Sequence, residues 1–463
     1  MITLRPDQYA LITQARDRLL AGTPSVLMVA PTGCGKTVMF SWLTAHFRGT
    51  RTMILVHRDE LIQQVSDTLS RFRVEHGCIA PGRPNYKERL VQVASVMTLV
   101  RRLADYQPPQ LVVVDEAQHA IPNSTWGKIL RAWPAAYRLG VTATPERLSG
   151  EGLRDTFVDI LVGPTVRALI TQGALSDYIL YAPDTNCTKG VQKRGGDYAK
   201  DQLAQAMDTP TLTGNAVAHY QQLAAGKRAL VFCVSLDHAA HTAEAFRAAG
   251  YTAARIDGKL ELHQRRLLVQ DFQAGRFHVL TSCDVVSEGF DLPAIECAIL
   301  LRPTASLALH LQQMGRALRP YPGKTHAVIL DHAGNTHRHG LPDDERIWSL
   351  DGKETRQKAE GEQAVSVRTC GNCFAACRSA VPVCPHCGYV FPIESRKIQE
   401  VEGTLIQVDH LQRRREQRFE QGRAGDLQAL IELGRVRRYK SPEYWARCVL
   451  QAREAKRKQR VMV

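Results

Sequence analysis

The chain contains 463 residues, too many for one hydrophobic core and enough for two full domains and a smaller one. Its 44% hydrophobic and 23% charged content is typical of a globular protein and excludes collagen-like, fibrous and wholly disordered classes. No apolar run approaches the ~20 residues needed to cross a bilayer, and the amino terminus lacks the layout of a secretion signal. We therefore expect a cytoplasmic protein with no membrane partner.

The distribution of charge and of cysteine is more informative. The formal net charge of +14 predicts a polyanionic partner, either nucleic acid or an anionic membrane surface. Residues 396–463 hold 17 basic and 9 acidic residues, so +8 of the +14 lies in this final stretch. Five of the 12 cysteines lie between Cys370 and Cys387, and such clustering in a cytosolic chain indicates a metal site rather than disulfides.

Two series of short apolar runs predict two parallel sheets. Runs of Val, Leu and Ile without alternation are typical of strands that helices cover on both faces, so we expect two doubly wound α/β domains. The first series comprises residues 26–30, 53–57, 91–95, 111–114 and 138–142. The second series comprises residues 229–234, 253–256, 278–281, 295–301 and 327–330.

The composition divides the chain into six parts. These are a first α/β domain (1–165), a connecting segment (166–206), a second α/β domain (207–345), a polar linker (346–365), a cysteine module (366–392) and a basic, mainly helical region (393–463).

A phosphate-binding loop follows the first predicted strand. Gly33 and Gly35 allow a tight turn whose N–H groups point at phosphate oxygens near a helix N-terminus. Lys36 would contact the β- and γ-phosphates of ATP, and the Thr37 hydroxyl would ligate Mg²⁺. The motif opens with Ala30 where the usual pattern has Gly. A chance Gly-Lys-Thr in a glycine turn is the alternative, and the strand before and helix after the loop favour nucleotide binding.

An acidic pair ends the fourth predicted strand. Asp115 and Glu116 would lie at the carboxyl edge of a parallel sheet, where ligands bind in such folds. Asp115 would hold Mg²⁺ through its water shell, and Glu116 would orient and polarise the attacking water. The alternative, two acidic residues that cap the next helix, is less favoured because the phosphate-binding loop lies upstream.

A basic helix face lies near the end of the second predicted domain. Gln312, Arg316 and Arg319 recur at helical spacing, so we expect them on one face. Two arginines that point at a nucleotide held by the first domain would stabilise the transferring phosphoryl group. Gly315 argues against a merely solvated face, because glycine costs about 1 kcal/mol inside a helix.

At these residues the sequence resembles the superfamily 2 helicases over residues 1–345. Eight segments match that family in order, namely residues 5–8, 30–37, 57–61, 115–119, 142–145, 231–235, 284–291 and 312–319. The resemblance implies two tandem RecA-like domains that hydrolyse ATP between them. Within the family the chain is similar to bacterial RadD-type and related phage DNA helicases, on the evidence of residues 301–320, residues 323–335 and the cysteine module that follows.

The resemblance also implies roles for individual residues. The catalytic set would be Lys36, Asp115, Glu116, Gln312, Arg316 and Arg319. The nucleotide would be held by Arg5, Gln8, Pro31, Thr32, Gly33, Cys34, Gly35, Lys36, Thr37, Gly289 and Asp291. Nucleic-acid contact, or its coupling to hydrolysis, would fall to Arg58, Ser95, Thr142, Thr144 and Ser235. Besides Ala30, two positions depart from common family patterns: Gln118, where Asp or His is usual, and Cys283, where many relatives carry Thr.

Two C-x₂-C pairs predict a zinc ribbon. Tetrahedral Zn²⁺ takes four thiolates, which Cys370, Cys373, Cys384 and Cys387 would supply in a structural site. An iron–sulfur cluster also suits four thiolates, but the close pairing favours zinc. We expect Cys377 to be a spare thiol, with an alternative ligand as the other interpretation.

The final region interleaves basic and aromatic residues, including Tyr439, Tyr444 and Trp445. This composition suits a phosphate-tracking surface with a stacking platform. It equally suits a solvated helical face whose aromatic residues are buried.

The sequence therefore predicts an ATP-dependent helicase or translocase that acts on single-stranded or on branched or forked DNA, in repair, recombination or replication. An RNA helicase and a translocase on branched DNA that does not separate strands remain alternatives. A non-catalytic adaptor is the least favoured, because the whole catalytic set is present. We expect replication or repair proteins to bind through the zinc module and the tail, in the cytoplasm of a bacterial or phage-infected cell.

Overall fold

The computed structural model describes residues 2–147, 150–183, 192–194, 197–258, 260–283, 295–351, 367–392, 419–437 and 441–461. The chain divides into two units, Met1–Pro392 and Ile393–Val463. Gly289 and Asp291, both expected near the nucleotide, lie outside the described residues, as does the whole of the predicted segment 284–291.

The first domain is built on a seven-stranded parallel sheet. Its strands are β1 Ser25–Val29, β2 Thr52–Val56, β3 His76–Ile79, β4 Val91–Ser95, β5 Leu111–Asp115, β6 Tyr137–Thr142 and β7 Asp159–Val162. Their order across the sheet is β3-β4-β2-β5-β6-β1-β7. Its helices are α1 Pro6–Leu20, α2 Lys36–His46, α3 Asp59–Arg71, α4 Val96–Leu99 and α5 Thr125–Ala132, with 3-10 turns at Leu103–Asp105 and Ala117–His119. Strands β1, β2 and β5 are buried along their whole length.

The second domain has a six-stranded parallel sheet and a short antiparallel hairpin. Its strands are β8 Asp177–Tyr181, β9 Lys193–Arg194, β10 Asp197–Tyr198, β11 Ala229–Phe232, β12 Ala253–Ile256, β13 Val279–Ser282, β14 Cys297–Leu300 and β15 His326–Asp331, where β9 and β10 form the hairpin. The parallel strands are ordered β12-β13-β11-β14-β15-β8. The helices are α6 Val166–Thr171, α7 Lys200–Met207, α8 Pro210–Leu223, α9 Leu236–Ala248, α10 Leu262–Gln273, α11 Leu307–Ala317 and α12 Asn335–His339.

The two parallel sheets confirm the predicted fold class, and each predicted strand is present within a few residues of its expected bounds. Three further strands of the two parallel sheets, β3, β7 and β8, were not predicted. All three lie at sheet edges and are only partly buried, unlike the fully buried β1, β2 and β5. Strand β8 also places part of the expected connecting segment, residues 166–206, inside the second sheet.

The start of the expected polar linker packs onto the first domain. Leu350 is 2% exposed, and its carbonyl accepts a 2.8 Å hydrogen bond from the Leu153 N–H. Asp351 accepts from the Arg154 guanidinium at 2.6 and 3.1 Å. Residues 346–351 therefore form a strap that returns from the second domain to the first, and this part of the linker prediction is wrong. The sequence did not indicate this contact, because Trp348 and Leu350 are apolar residues with charged stretches on both sides.

The cysteine module adds a small hairpin to the edge of the second sheet. Strands β16 Val367–Thr369 and β17 Ala376–Arg378 pair antiparallel, and Ala375 forms a bridge with Tyr181 at the end of β8. The Thr369 hydroxyl donates to the Ala182 carbonyl at 3.3 Å. The module thus covers an edge that would otherwise present unpaired backbone groups.

The second unit contains two packed helices, α13 Leu427–Val436 and α14 Pro442–Val461. Gly434 on α13 allows the two helices to approach closely, because a methyl group there would lie 3.0 Å from Pro442 and 3.2 Å from the Trp445 ring of α14. Trp445 therefore packs between the helices, whereas Tyr444 is 72% exposed. Tyr439 lies outside the described residues. None of the helices among the described residues combines the length and apolar character that a membrane crossing requires.

Candidate functional site

The phosphate-binding loop lies between β1 and α2, as the sequence predicted. Gly33 and Gly35 adopt φ values of +88° and +89°, in the left-handed region that glycine enters without strain. A methyl group on Gly35 would lie 2.4 Å from Nε2 of Gln8, and one on Gly33 would lie 2.8 Å from Leu175. Both glycines are therefore required by backbone conformation and by space.

Arg5, the residue before α1, and Gln8, in the first turn of α1, support this loop from the side. The Gln8 side chain is buried, its Nε2 donates to the Cys34 carbonyl at 2.7 Å, and its Oε1 accepts from the Arg5 N–H at 3.0 Å. Arg5 also donates to the Cys34 carbonyl at 3.1 Å and pairs with Asp7 at 3.0 Å. Arg5 and Gln8 thus fix the conformation of the loop through its backbone.

Lys36 begins α2 and reaches back over the loop. Its Nζ donates to the carbonyls of Ala30 and Pro31 at 3.1 and 3.3 Å. Both Lys36 and Thr37 line the same cleft as Asp115 and Glu116. The cation, the hydroxyl and the two carboxylates that the sequence assigned to ATP and Mg²⁺ are therefore brought together.

Asp115 has a strongly perturbed acidity. Burial raises the pKa of its carboxyl to about 7, the neighbouring Glu116 carboxylate adds to the rise, and Lys36 opposes it. A buried carboxylate of this kind needs a cation to hold its negative charge. Together with the Thr37 hydroxyl, this donor set fits a hard cation such as Mg²⁺.

Glu116 belongs to a chain of hydrogen bonds that the sequence did not reveal. Its backbone is left-handed, with φ +50°, and its Oε2 accepts from Nε2 of Gln118 at 2.9 Å. Oε1 of Gln118 accepts from the Thr142 hydroxyl at 2.6 Å, and that hydroxyl accepts from the Thr144 N–H at 3.0 Å. Both threonines are fully buried, so they link Glu116 to the end of β6 rather than lying on the surface. Gln118, which departs from the usual pattern, is the centre of the link.

The second domain completes the cleft. Gln312 and Arg316 on α11, with Arg319 just past the end of that helix, line a volume of ≈ 540 Å³ opposite Lys36 and Glu116. Gln312 and Arg316 are each only 4% exposed, although Arg316 carries a full charge. The three predicted side chains therefore face the phosphate-binding loop, although Arg319 does so from beyond the helix.

A direct contact and an ion pair cross the interface near this cleft. A methyl group on Gly315 would lie 2.8 Å from Cβ of Thr32. Glu60 on α3 accepts from Arg265 on α10 at 2.5 Å, with both side chains about one-fifth exposed. Arg265 was not predicted, because an ion pair between residues 205 positions apart leaves no local pattern in the sequence.

The residues expected to contact nucleic acid are more dispersed. Arg58 and Ser95 lie at the carboxyl ends of β2 and β4 in the first domain. Ser235 follows β11, and its hydroxyl accepts from the His238 N–H at 3.0 Å as the cap of α9. Cys283 follows β13 and is 9% exposed. These positions share the carboxyl edges of the two sheets, and their contacts with a strand stay predictions.

Four cysteines of the cysteine module form a thiol cluster. The Sγ atoms of Cys370, Cys373, Cys384 and Cys387 all lie within 4.8 Å of one another. The Cys370–Cys387 and Cys373–Cys384 pairs are each 3.7 Å apart. Tetrahedral Zn²⁺ with Zn–S bonds of about 2.3 Å separates its sulfurs by about 3.8 Å, so the cluster fits that ion.

Cys377 is not part of this cluster. It is 3% exposed, its Sγ lies 3.7 Å from the Arg368 carbonyl, and burial raises the pKa of its thiol. The position of Cys377 outside the group of four clustered thiols agrees with the expectation of a spare residue.

A phosphate-binding loop, an acidic pair and an arginine helix from a second RecA-like domain define a two-domain P-loop ATPase. Residues 1–147 match the family model "Type III restriction enzyme, res subunit", and residues 214–321 match "Helicase conserved C-terminal domain". The chain belongs to the superfamily 2 helicases, and it is an ATP-hydrolysing enzyme of that family.

Individual relatives agree with this membership. The chain is 35% identical over 374 residues to a 51.5 kDa protein of a Lactococcus phage, a match that covers 80% of this chain and 79% of that protein. It is 28% identical over 355 residues to a Saccharomyces cerevisiae protein assigned as the ATP-dependent helicase IRC3. That match covers 72% of this chain and 51% of the yeast protein. It is 25% identical over 338 residues to the DNA 3'-5' translocase XPB2 of Sulfurisphaera tokodaii. That match covers 63% of this chain and 74% of the translocase.

The chain therefore spans about half the length of the yeast relative. Among solved structures, a fragment assigned as the HsdR subunit of a type I restriction enzyme from Vibrio vulnificus YJ016 superposes with a TM-score of 0.58. Sequence identity in that superposition is 22%, and it covers 74% of this chain and 67% of the other. At this identity the likeness concerns the fold alone, and it agrees with two RecA-like domains.

Proposed function

We propose that the enzyme is a DNA helicase or translocase that hydrolyses Mg-ATP in the cleft between its two RecA-like domains. The observation that carries the proposal is the shared cleft, in which Lys36 and Glu116 face Gln312, Arg316 and Arg319. Since each domain supplies only half of these groups, hydrolysis requires the domains to be closed. Opening after hydrolysis would then move a strand bound along both domains.

The first domain would bind the nucleotide and position the water. The N–H groups of the Gly33–Gly35 loop and the Lys36 ammonium bind phosphate oxygens. Thr37 and Asp115 would hold Mg²⁺, which neutralises phosphate charge when bound. Glu116 would orient the attacking water and accept its proton, and the hydrogen bond from Gln118 holds that carboxylate in place.

The second domain would stabilise charge on the transferring phosphoryl group. Arg316 and Arg319 are suited to this because a guanidinium donates several hydrogen bonds in a planar fork and stays charged. Gln312 lies on the same helix and would orient the γ-phosphate or the water. Arg5 and Gln8 support the loop, and a contact of Gln8 with the adenine base is part of the same proposal.

DNA is the favoured polymer. The translocase XPB2, to which the chain is similar, is named for action on DNA, and a net charge of +14 suits a polyanionic partner. The proposed contacts at Arg58, Ser95 and Ser235 would bind the phosphate backbone and so read little sequence. We also propose a structural Zn²⁺ in the cysteine module. Roles in repair or replication, protein partners and cellular location stay predictions.

The decisive experiment is an ATPase assay with no polymer, single-stranded DNA, duplex DNA, forked DNA and RNA. We expect DNA to stimulate turnover at least tenfold, with single-stranded or forked DNA most effective. Lys36→Ala and Glu116→Gln should abolish this turnover, because they remove the phosphate cation and the water-positioning carboxylate. The matched controls Lys87→Ala and Glu75→Gln alter exposed residues outside the cleft and should behave as wild type.

Substantial ATPase activity in Lys36→Ala or Glu116→Gln would refute the assigned site. Stimulation by RNA alone would refute the DNA assignment and leave the ATPase in place. Turnover without displacement of a labelled strand from a fork would identify a translocase rather than a helicase.

A further inference from the structure

The two C-x₂-C turns of the cysteine module, Cys370–Cys373 and Cys384–Cys387, form two zinc knuckles with the same backbone geometry. They differ in the residue that follows the second cysteine. In each C-x₂-C turn the N–H of the following residue donates to the first cysteine carbonyl, from Phe374 to Cys370 at 2.9 Å and from Gly388 to Cys384 at 3.0 Å. Both following residues are left-handed, with φ +60° for Phe374 and +73° for Gly388. Glycine accepts this conformation freely, whereas a bulky aromatic residue does not. The first knuckle therefore holds a strained phenylalanine where its twin holds the residue that the geometry favours.

Burial of the Phe374 side chain does not compensate for this backbone strain. Phe374 is 63% exposed, so its ring contributes little to the core of the module. Residues held in strained backbone conformations are concentrated at active sites, ligand clamps and switch regions. The ring instead borders a groove of ≈ 360 Å³ between the zinc module and the second RecA-like domain.

The opposite wall of the groove belongs to the second domain. His219 on α8 and His332 after β15 stack with ring centroids 5.1 Å apart, and both line the groove with Phe374. Asp331 is the acidic residue of the lining, but it is 2% exposed and accepts from the Thr336 N–H and hydroxyl at 2.6 and 2.7 Å. Its charge is therefore directed into the domain and away from the groove.

The groove lies at the edge of the sheet where nucleic-acid contacts are proposed. It opens at the carboxyl ends of β8 and β15, and Ser235 follows the carboxyl end of β11 in the same parallel sheet. Strand β8 is three positions from β11, which corresponds to about 14 Å. The zinc module, residues 367–392, carries Arg368 and Arg378 and no acidic residue, so it presents no charge that would repel a phosphate backbone.

We propose that this groove binds a nucleobase of the single strand on which the enzyme acts, with the Phe374 ring as the stacking surface. Base–aromatic stacking suits a motor, because every base has a π-face and the contact does not depend on sequence. The zinc module would thus extend the strand contact of the second domain. This inference rests on the proposed function and assigns the groove to single-stranded nucleic acid, whereas a protein partner is an outcome of the test.

Phe374→Gly tests the proposal well, because it removes the ring and relieves the backbone strain together. We expect its affinity for a fluorescent oligo-dT strand, measured by anisotropy on the full chain, to fall about 5- to 100-fold. The slope of log affinity against log salt should not change, since no phosphate contact is lost. Phe374→Trp should retain wild-type affinity, and Tyr137→Ala, an exposed aromatic at the amino end of β6, should have no effect.

Two further measurements separate a direct contact from a structural one. Zinc content of Phe374→Gly should equal that of wild type, because the knuckle keeps its geometry with glycine. Ultraviolet crosslinking of an iodouracil strand to wild type should place the adduct in the peptide that contains Phe374.

Wild-type affinity of Phe374→Gly for the strand, with full zinc content, would overturn the proposal, as would adducts confined to the first domain. Loss of a protein partner with unchanged strand binding would also overturn it, in favour of a protein surface. A wild-type enzyme that no polymer stimulates would instead refute the proposed function itself.

Discussion

Gly315 of the second domain lies directly against Thr32 of the phosphate-binding loop. A methyl group in place of the Gly315 hydrogen would stand 2.8 Å from Cβ of Thr32 and 3.1 Å from its Cγ2, well inside van der Waals contact. The arginine-bearing helix therefore reaches the loop only because residue 315 has no side chain. Arg316, the next residue in the chain, lines the cleft between the two domains at this contact.

Gly315→Ala should separate the two halves of the site without unfolding the protein. Alanine gains about 1 kcal/mol of helix propensity over glycine, which offsets strain at the contact. We expect kcat for DNA-stimulated ATP hydrolysis to fall at least tenfold, because Arg316 and Arg319 can no longer reach the phosphates. The melting temperature should change by only a few degrees.

Gly422→Ala is the control, since a methyl group there meets nothing within 4 Å. Wild-type kcat in Gly315→Ala would show that the domains can close without this contact.

Thr142→Val should interrupt the chain of hydrogen bonds from Glu116 to Thr144. The substitution keeps the shape of the side chain but leaves Oε1 of Gln118 and the Thr144 N–H without the Thr142 hydroxyl. The loss should cost about 1–3 kcal/mol of unfolding free energy. We expect more ATP to be consumed per base pair opened, measured by phosphate release and strand displacement in the same reaction.

Thr44→Val removes a buried hydroxyl that donates only to a carbonyl of its own helix, at 2.9 Å from Phe40. It should lower stability less and leave the coupling ratio unchanged. An equal effect of both substitutions on the ratio would mean that the chain from Glu116 carries no coupling.

The Glu60–Arg265 ion pair should contribute to closure of the domains. It joins α3 to α10 at 2.5 Å, with each side chain about one-fifth exposed. In a double-mutant cycle with Glu60→Gln and Arg265→Gln, we expect each single change to raise KM for ATP two- to fivefold. The coupling energy should be about 1 kcal/mol and should decline with added salt. Additive effects, and hence no coupling energy, would show that the pair is not formed in the state that binds ATP.

Asp343 connects three parts of the first unit. Its carboxylate is fully buried, accepts from Arg167 at 2.5 Å and from the Tyr178 hydroxyl, and lies 3.2 Å from the Arg378 guanidinium of the cysteine module. Burial alone would raise the pKa of this carboxyl, but the Tyr178 hydrogen bond and the two guanidinium groups lower it below the ordinary value. The charged form is therefore stabilised by the fold.

Asp343→Asn should destabilise the protein by about 1.5–3 kcal/mol at neutral pH, because the Tyr178 hydroxyl and the half-exposed guanidinium groups lose a charged acceptor. A depressed folded pKa contributes stability above the unfolded value of about 3.9, and this contribution is lost as pH falls through the folded value. The difference in unfolding free energy between wild type and Asp343→Asn should therefore shrink below about pH 4. A difference that is constant from pH 7 to pH 3, in chemical denaturation, would contradict this account.

Local patterns in the sequence were sufficient to predict the residues that each domain contributes to the cleft. The Gly33–Thr37 loop and the Asp115–Glu116 pair could be predicted because the residues that act together are neighbours in the chain, between a strand and a helix of clear pattern. Spacing alone likewise predicted which four cysteines cluster and that Cys377 does not. The edge strand β3, His76–Ile79, was missed because its residues alternate between half-buried and buried and form no continuous apolar run.

By itself, then, the sequence determined the class of enzyme and the two parallel-sheet domains, and it predicted most of the residues that line the cleft between them, because local chemistry and periodicity encode these features. The tertiary structure alone decided how the parts meet: Gly315 against Thr32, Glu60 with Arg265, the 346–351 strap on the first domain and the cysteine module on β8. Each of these contacts joins segments distant in the chain, and a side chain shows no local sign of which remote surface it will meet.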